Sequence, residues 1–276
     1  MIGVLVPAHN EAASMERCLQ SIRRAALNPA LGGEAVEVIV ALDDCSDATE
    51  SICAQQRVDT LRLAARCVGI ARARAAAELL GRQEVQKLLE RVEKDVPKLT
   101  EDLVPKTLPL VTLQGVLRGL LEEQVPIRDM RTIIEVITEW APRMMAGAQP
   151  GASLDVGQLI ALVRQGLARS ITQYWFNDSK ECRVIGLDAN LERVLDQVVT
   201  NNGAMEPGLA DKLLKEAGVA VQRQEMSGDP TVLVVPPTLR SAMSRYLRNP
   251  FPQLAVLATS EIPDDRLIKV SVVIGA

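Results

Sequence analysis

The sequence predicts a mixed fold: an N-terminal partial Rossmann-like β-α-β-α-β block, a central helical bundle, and a C-terminal α/β subdomain. Three observations support this prediction. Short runs rich in Val and Ile alternate with helical patterns over residues 1–80. Helical periodicity alone continues over residues 81–168, and strand-like runs return over residues 169–276. Fully apolar strands that alternate with helices are typical of parallel sheets covered on both faces.

In the first segment, "IGVLVPA" and "VEVIVALD" are predicted strands, and "VDTLRLAA" is a weaker third. The helix after the first strand has apolar residues at Met15, Cys18, Leu19 and Ile22, which recur at helical spacing. Two further helices are predicted in "SDATESICAQQ" and "VGIARARAAAELL". The order of elements is therefore β-α-β-α-β-α.

The middle segment contains four predicted helices. In "GRQEVQKLLERVEKDV", Val85, Leu88, Leu89 and Val92 share one face. "LVTLQGVLRGLLEE", "IRDMRTIIEVITEWAP" and "LDVGQLIALVRQGLARSI" follow. Prolines are predicted to mark the helix ends, because the proline ring removes a backbone donor: Pro105, Pro109, Pro126 and Pro142.

The last segment contains four predicted strands: "CRVIGLD", "TVLVVPP", "QLAVLAT" and "LIKVSVVIG". Helices separate the first three strands. The polar segment "SEIPDDR" separates the last two and predicts a charged hairpin turn.

Composition excludes several classes of function. A formal charge of −4 and few aromatic residues argue against a nucleic-acid surface. Five cysteines at irregular spacing and one histidine, His9, predict neither a disulfide framework nor a zinc site. We therefore expect no metal and no cofactor. No apolar run is long enough to span a bilayer, so we expect no membrane span in this chain.

Two loops of the first segment follow predicted parallel strands, where α/β proteins bind ligands. "VPAHNEAASMERCLQSI", "VIVALDDCSDATE" and "ARCVGIARARAAA" closely resemble the start of family 2 glycosyltransferases of the GT-A fold. This resemblance covers about residues 2–80. It implies nucleoside contacts by these residues: Pro7, Ala8, Asn10, Glu11, Asp43, Asp44, Ser46 and Asp47. The alternative is that Asn10, Asp44 and Asp47 only cap helices.

The glycosyltransferase resemblance implies a second motif that is missing here. The family holds a divalent cation on the diphosphate with an Asp-x-Asp pair, and this chain contains no such pair. A glycosyltransferase that uses a nucleotide sugar is therefore the disfavoured alternative. We expect no catalysis, and at most vestigial nucleotide binding by residues 1–80.

A longer resemblance begins near residue 81 and continues to residue 276. "GRQEVQKLLERVEKDVPKLTEDLVP", "EEQVPIRDMRTIIEVITEWAP", "VIGLDANLERVL", "MEPGLADKLL" and "PQLAVLATSEIPDD" resemble flagellar members of the FHIPEP family, the export gates of type III secretion. Residues 81–168 are similar to the third cytoplasmic subdomain of the family and residues 169–276 to the fourth. The change of resemblance near residue 80 predicts an incomplete or chimeric chain.

The FHIPEP resemblance implies a non-catalytic role at the cytoplasmic face of the inner membrane. Family members form homo-oligomeric rings that dock flagellar export apparatus subunits and export chaperone–substrate complexes. By analogy, Arg128, Asp129 and Arg131 are a candidate partner or intersubunit surface. The alternative is that Pro126 begins a helix and Asp129 favours its dipole.

Overall fold

A computed structural model describes residues 1–146, 154–201, 203 and 205–275. The chain forms two compact units, Met1–Gln124 and Val125–Ala276. The boundary between them lies inside the segment that the sequence assigns to one helical bundle. Helices from the first part of that segment belong to the first unit, and the later ones belong to the second. The division into a glycosyltransferase-like segment, residues 1–80, and two FHIPEP-like subdomains, residues 81–168 and 169–276, stays a prediction.

The first unit contains a three-stranded parallel sheet in the order β1-β2-β3. Its strands and the helices between and after them are β1 (Ile2–Ala8), α1 (Ala12–Ala26), β2 (Val36–Asp43), α2 (Thr49–Gln55), β3 (Asp59–Leu63) and α3 (Val68–Leu79). All six elements match the predicted order. The parallel pairing of β1 with β2 and of β2 with β3 confirms the predicted type of sheet.

Both faces of this sheet pack against apolar side chains. On one face, Met15 and Leu19 of α1 and Cys53 of α2 form a core with Val40 and Leu42 of β2. On the other face, α3 packs its alanines against the sheet, which places Ala71 and Ala75 against Ala41. Small side chains on α3 let the helix approach the strands closely.

Three further helices complete the first unit: α4 (Arg82–Asp95), α5 (Pro97–Asp102) and α6 (Leu110–Glu122). The apolar face of α6 is fully buried at Leu113, Val116, Leu117 and Leu120.

Polar contacts join these helices to the elements before residue 81. Arg118 of α6 forms an ion pair with Glu78 of α3 at 2.8 Å. The amide of Gln114 donates to the carbonyl of Leu80 at 2.9 Å. Residues on the two sides of position 80 therefore share one compact unit.

The helices of the second unit are α7 (Met130–Ala146), α8 (Val156–Gly166), α9 (Ala168–Phe176), α10 (Ala189–Thr200), α11 (Pro207–Met226) and α12 (Pro237–Leu247). The prediction that Pro142 ends a helix is wrong, because α7 continues through it. Buried Ile137 and Ala141 keep that turn against the core, and their burial offsets the lost backbone hydrogen bond. The helix predicted over residues 154–171 is two helices, which separate just after the poor helix former Gly166.

The second unit also contains a four-stranded parallel sheet in the order β6-β5-β4-β7. Its strands are β4 (Glu181–Leu187), β5 (Val232–Val235), β6 (Ala255–Ala258) and β7 (Leu267–Ile274). The predicted hairpin between the last two strands is wrong. A 3₁₀ turn at Thr259–Glu261 follows β6, and the chain then crosses the sheet so that β7 pairs in parallel with β4.

Among the described residues, no helix combines the length and the apolar character that crossing a bilayer requires.

Candidate functional site

The two loops predicted to contact a nucleoside do meet at the carboxyl edge of the first sheet. Pro7 and Ala8 end β1, and Asp43 ends β2. The side-chain oxygen of Asn10, in the first loop, accepts hydrogen bonds from the backbone amides of Ser46 at 2.8 Å and Asp47 at 3.2 Å in the second. Asn10 therefore joins the two loops, because its side chain in the first loop accepts hydrogen bonds from two backbone amides of the second.

Asp43 is buried, with 4% of its surface exposed, and its carboxylate holds the loop after β3. One oxygen accepts from the amides of Ala65 at 2.7 Å and Arg66 at 2.8 Å, and the other accepts from Cys67 at 2.8 Å. Three backbone donors thus surround this carboxylate. His9 contacts the same position through its ring Nδ1, which lies 2.6 Å from the backbone oxygen of Asp43.

Asp47 precedes α2 and accepts hydrogen bonds from the first residues of the two helices that follow these loops. Its oxygens accept from the amide of Ala12 at 2.9 Å and from the amide of Thr49 at 3.0 Å. The hydroxyl of Thr49 also donates to it, and this bond is the main reason that the pKa of Asp47 lies below its ordinary value. Asp47 therefore stabilises the start of α2 from the position before its N-cap residue, Ala48.

Asp44 and Glu11 keep carboxylate surface toward solvent. Asp44 is 39% exposed and forms an ion pair with Arg66. Glu11 accepts a hydrogen bond from the hydroxyl of Ser14 at 2.6 Å. Asn10, Asp44 and Arg66 adopt positive φ angles of 55°, 53° and 48°. Nucleoside contact by these loops stays a prediction, and among the described residues no group of three His, Cys, Asp or Glu side chains is arranged to hold a metal.

The second candidate surface lies at the start of α7. Residues 126–129 are not helical, so the helix begins at Met130 and not at Pro126. Asp129 behaves as a cap, since its carboxylate accepts from the amide of Thr132 at 3.1 Å and from the Thr132 hydroxyl at 2.7 Å. Its two oxygens are therefore engaged within the helix start.

The two arginines of this surface differ in their partners. Arg131 forms an ion pair with Glu135 at 2.8 Å, one turn later, and this bond raises the pKa of the guanidinium. Arg128 is exposed, and no described residue pairs with its guanidinium. Of the three predicted surface residues, all of which are exposed, Arg128 is the one whose side chain forms no ion pair or hydrogen bond with a described residue.

Two aromatic side chains of the second unit differ in their exposure. Phe176 is 5% exposed, whereas Trp140 on α7 is 36% exposed. The guanidinium of Arg143 lies 5.0 Å from the centre of the Trp140 ring, within cation–π distance. In the sequence, the residues next to Trp140 do not indicate whether its side chain is exposed or buried.

Sequence reasoning also missed a buried ionic cluster in the second unit. Glu261, from the predicted turn, is 1% exposed and accepts from Arg164 of α8 at 2.8 Å and 2.6 Å. Arg240 of α12, 3% exposed, lies 3.7 Å from the same carboxylate. Arg164 also donates to the carbonyl of Val256 at 3.3 Å. The cluster therefore joins α8, β6 and α12 around one carboxylate.

Comparisons with known proteins identify relatives of this chain. The profile of the FHIPEP family matches residues 11–266. Flagellar biosynthesis protein FlhA of Escherichia coli (strain K12) is 51% identical over 200 residues, which are 72% of this chain and 28% of the relative. The chain thus spans about a quarter of the length of such relatives. The family match covers both sides of residue 80, so it gives no support to a change of family there.

Solved structures share the fold. The Shigella flexneri MxiA protein matches with a TM-score of 0.64 at 24% identity, over 75% of this chain and 63% of that one. The nonameric SctV-C of EPEC matches with a TM-score of 0.61 at 23% identity, over 73% and 59%. Because the family profile covers most of the sequence, the conclusion is direct: the chain belongs to the FHIPEP family.

Proposed function

We propose that this chain acts as a non-catalytic part of a flagellar type III protein export gate. The observation that carries the proposal is the 51% identity over 200 residues with flagellar FlhA relatives. The parallel strands and helices of this chain agree with the fold of the EscV cytosolic domain from a type III secretion system. In this role the chain contributes to a cytoplasmic ring at the inner-membrane face, and it docks export chaperones together with their substrates.

The ring is proposed from a related assembly, since the matching SctV-C structure is nonameric. Neighbouring copies in such a ring meet through two different surfaces of each subunit. Residues 81–168 and 169–276 take the positions of the third and fourth cytoplasmic subdomains in this proposal.

We assign the partner contact at the start of α7 to Arg128. Its guanidinium is exposed and has no described partner, whereas Asp129 caps the helix and Arg131 is paired with Glu135. An exposed cation at a helix start fits an acidic surface on a partner, where it contributes mainly to association rate and orientation. Asp129 and Arg131 then hold the helix start in place.

Binding to purified flagellar export chaperone–substrate complexes tests this assignment. Arg128→Glu should lower the association rate by roughly tenfold at low salt, with a smaller effect at high salt. Arg223→Glu, at an exposed position near the end of α11, provides the matched control and should leave binding unchanged. Equal loss of binding in both variants would show a net-charge effect and remove the assignment to Arg128.

The proposal also excludes glycosyl transfer by residues 1–80. Titration of the chain with UDP-glucose and Mn²⁺, followed by an assay for sugar transfer, should give no product. Nucleotide binding without transfer agrees with a vestigial site, which the loops of Asn10 and Asp44 would form. Metal-dependent transfer would contradict the proposed function.

A further inference from the structure

A largely apolar pocket of about 410 Å³ lies between α10 and α12 in the second unit. Leu195 and Met243, which are 1% and 2% exposed, lie at its buried side. Val199 and Ala242 form parts of its two walls. The hydroxyl of Thr238 donates to Asp196 at 2.8 Å and ties the two helices together beside it. The volume falls within the range of about 300 to 1,000 Å³ that is typical of small-molecule sites.

The pocket has one charged group in its lining, the guanidinium of Arg245. No described residue forms an ion pair or hydrogen bond with this guanidinium, and no acidic side chain lines the pocket. Tyr246 adds a hydroxyl, which lies 3.4 Å from the carbonyl of Ala210. An apolar lining with one cation at the opening complements a ligand that has an apolar body and an anionic head.

The extent of the walls favours a small molecule over a docked helix. The lining residues of α10 run from Leu195 to Val199, those of α12 run from Ala242 to Tyr246, and Gly203 and Met205 after α10 complete the lining. At about 1.5 Å per residue, each wall is about 6 Å long. A helix anchored at positions i, i+3, i+4 and i+7 spans more than 10 Å and would extend beyond both walls.

We propose that this pocket binds a small amphipathic carboxylate, such as a medium-chain fatty acid. The alkyl chain lies along Leu195, Val199 and Met243, and the carboxylate pairs with Arg245. This site is separate from the helix start of α7 and does not depend on the proposed role in export.

Calorimetric titration of the full chain with decanoate, below its micellar concentration, tests the proposal, and decanol serves as the uncharged analogue. Decanoate should bind with one-to-one stoichiometry and roughly two- to fivefold more tightly than decanol, because an ion pair with an exposed guanidinium such as that of Arg245 contributes a factor of this size. Arg245→Met should remove the preference for decanoate and leave decanol affinity unchanged. Arg223→Met, at the exposed control position on α11, should behave as the unchanged protein does.

Filling the pocket provides an independent test. Ala242→Phe places an aromatic ring in the wall and should abolish binding of both ligands, with circular dichroism verifying that the chain stays folded. If this variant does not fold, the Arg245→Met comparison still decides the question. Equal affinity for decanoate and decanol, or unchanged decanoate affinity in Arg245→Met, would overturn the proposal.

Discussion

Replacement of Glu261 by glutamine should strongly destabilise the second unit. The substitution keeps the shape of the side chain and removes its charge. Glu261 is buried in a cluster with Arg164 and Arg240, and all three are at most 3% exposed. Glu261→Gln therefore removes the negative charge that both buried guanidinium groups contact.

The geometry of the cluster sets the expected magnitude. Removing one partner of a buried ion pair costs about 3–5 kcal/mol, because the remaining charge stays desolvated. Arg164→Met should cost less, about 2 kcal/mol, since it removes charged hydrogen bonds but leaves Glu261 with Arg240 at 3.7 Å. The double variant should lose clearly less than the sum of the two single losses, because both act on the same contact.

Urea unfolding followed by circular dichroism and by the fluorescence of the tryptophans measures these differences. With an m-value of about 2 kcal/mol/M, a loss of 3–5 kcal/mol lowers the midpoint by about 1.5–2.5 M. Both tryptophans, Trp140 and Trp175, belong to the second unit, so fluorescence reports that unit. The urea midpoint of any transition that belongs to the first unit should be the same in these variants as in the unchanged protein.

Two results would refute this reasoning. One is a Glu261→Gln midpoint equal to that of the unchanged protein, which would mean that water reaches the cluster. The other is a larger loss in Arg164→Met than in Glu261→Gln, since Glu261 contacts both arginines and its loss affects two ion pairs.

Three further substitutions test the loop and cap contacts. Asp43→Asn should cost roughly 2 kcal/mol in the first unit, because an amide replaces a buried carboxylate that accepts three backbone hydrogen bonds; a urea midpoint equal to that of the exposed control Asp44→Asn would contradict this. Asp129→Ala should cost about 1 kcal/mol through loss of a helix cap, measured in the same way. Thr49→Val should raise the pKa of Asp47 in an NMR titration, because the Thr49 hydroxyl is the main cause of its lowering. Since the folded pKa of Asp47 is lowered, its contribution to stability is present above the unfolded pKa and is lost as the pH falls through the folded value; an unchanged pKa in Thr49→Val would exclude this cause.

The sequence predicts β2, β5 and β6 well because each contains a short run of Val, Ile, Leu and Ala that the fold buries. The run "VEVIVALD" coincides with β2 at both ends. The position of β7 in its sheet was not predictable in the same way. "EIPDDR" has the composition of an exposed turn, but the direction of β7 depends on pairing with β4, more than 80 residues earlier in sequence.

For the candidate sites, the sequence likewise predicts which residues come close together but not which groups they bond with. Parallel strand order correctly brings Asn10 close to the loop after Asp43, because both follow carboxyl ends of adjacent strands. Which polar atoms remain available depends on backbone amides such as those of Ala65 and Cys67, whose directions carry no sequence signal. For the same reason, the sequence names Arg128 and Arg131 alike, and only the ion pair with Glu135 separates them.

Replacement of the corresponding segment of E. coli FlhA by residues 81–276 tests whether this chain serves a flagellar export gate. The measurement is secretion of flagellin in a strain that lacks its own FlhA, with the amount of the hybrid protein determined in the same cells. At 51% identity, the account predicts measurable flagellin export and motility. A hybrid that accumulates at the level of the E. coli protein and exports no flagellin would contradict the assignment of this chain to a flagellar export gate.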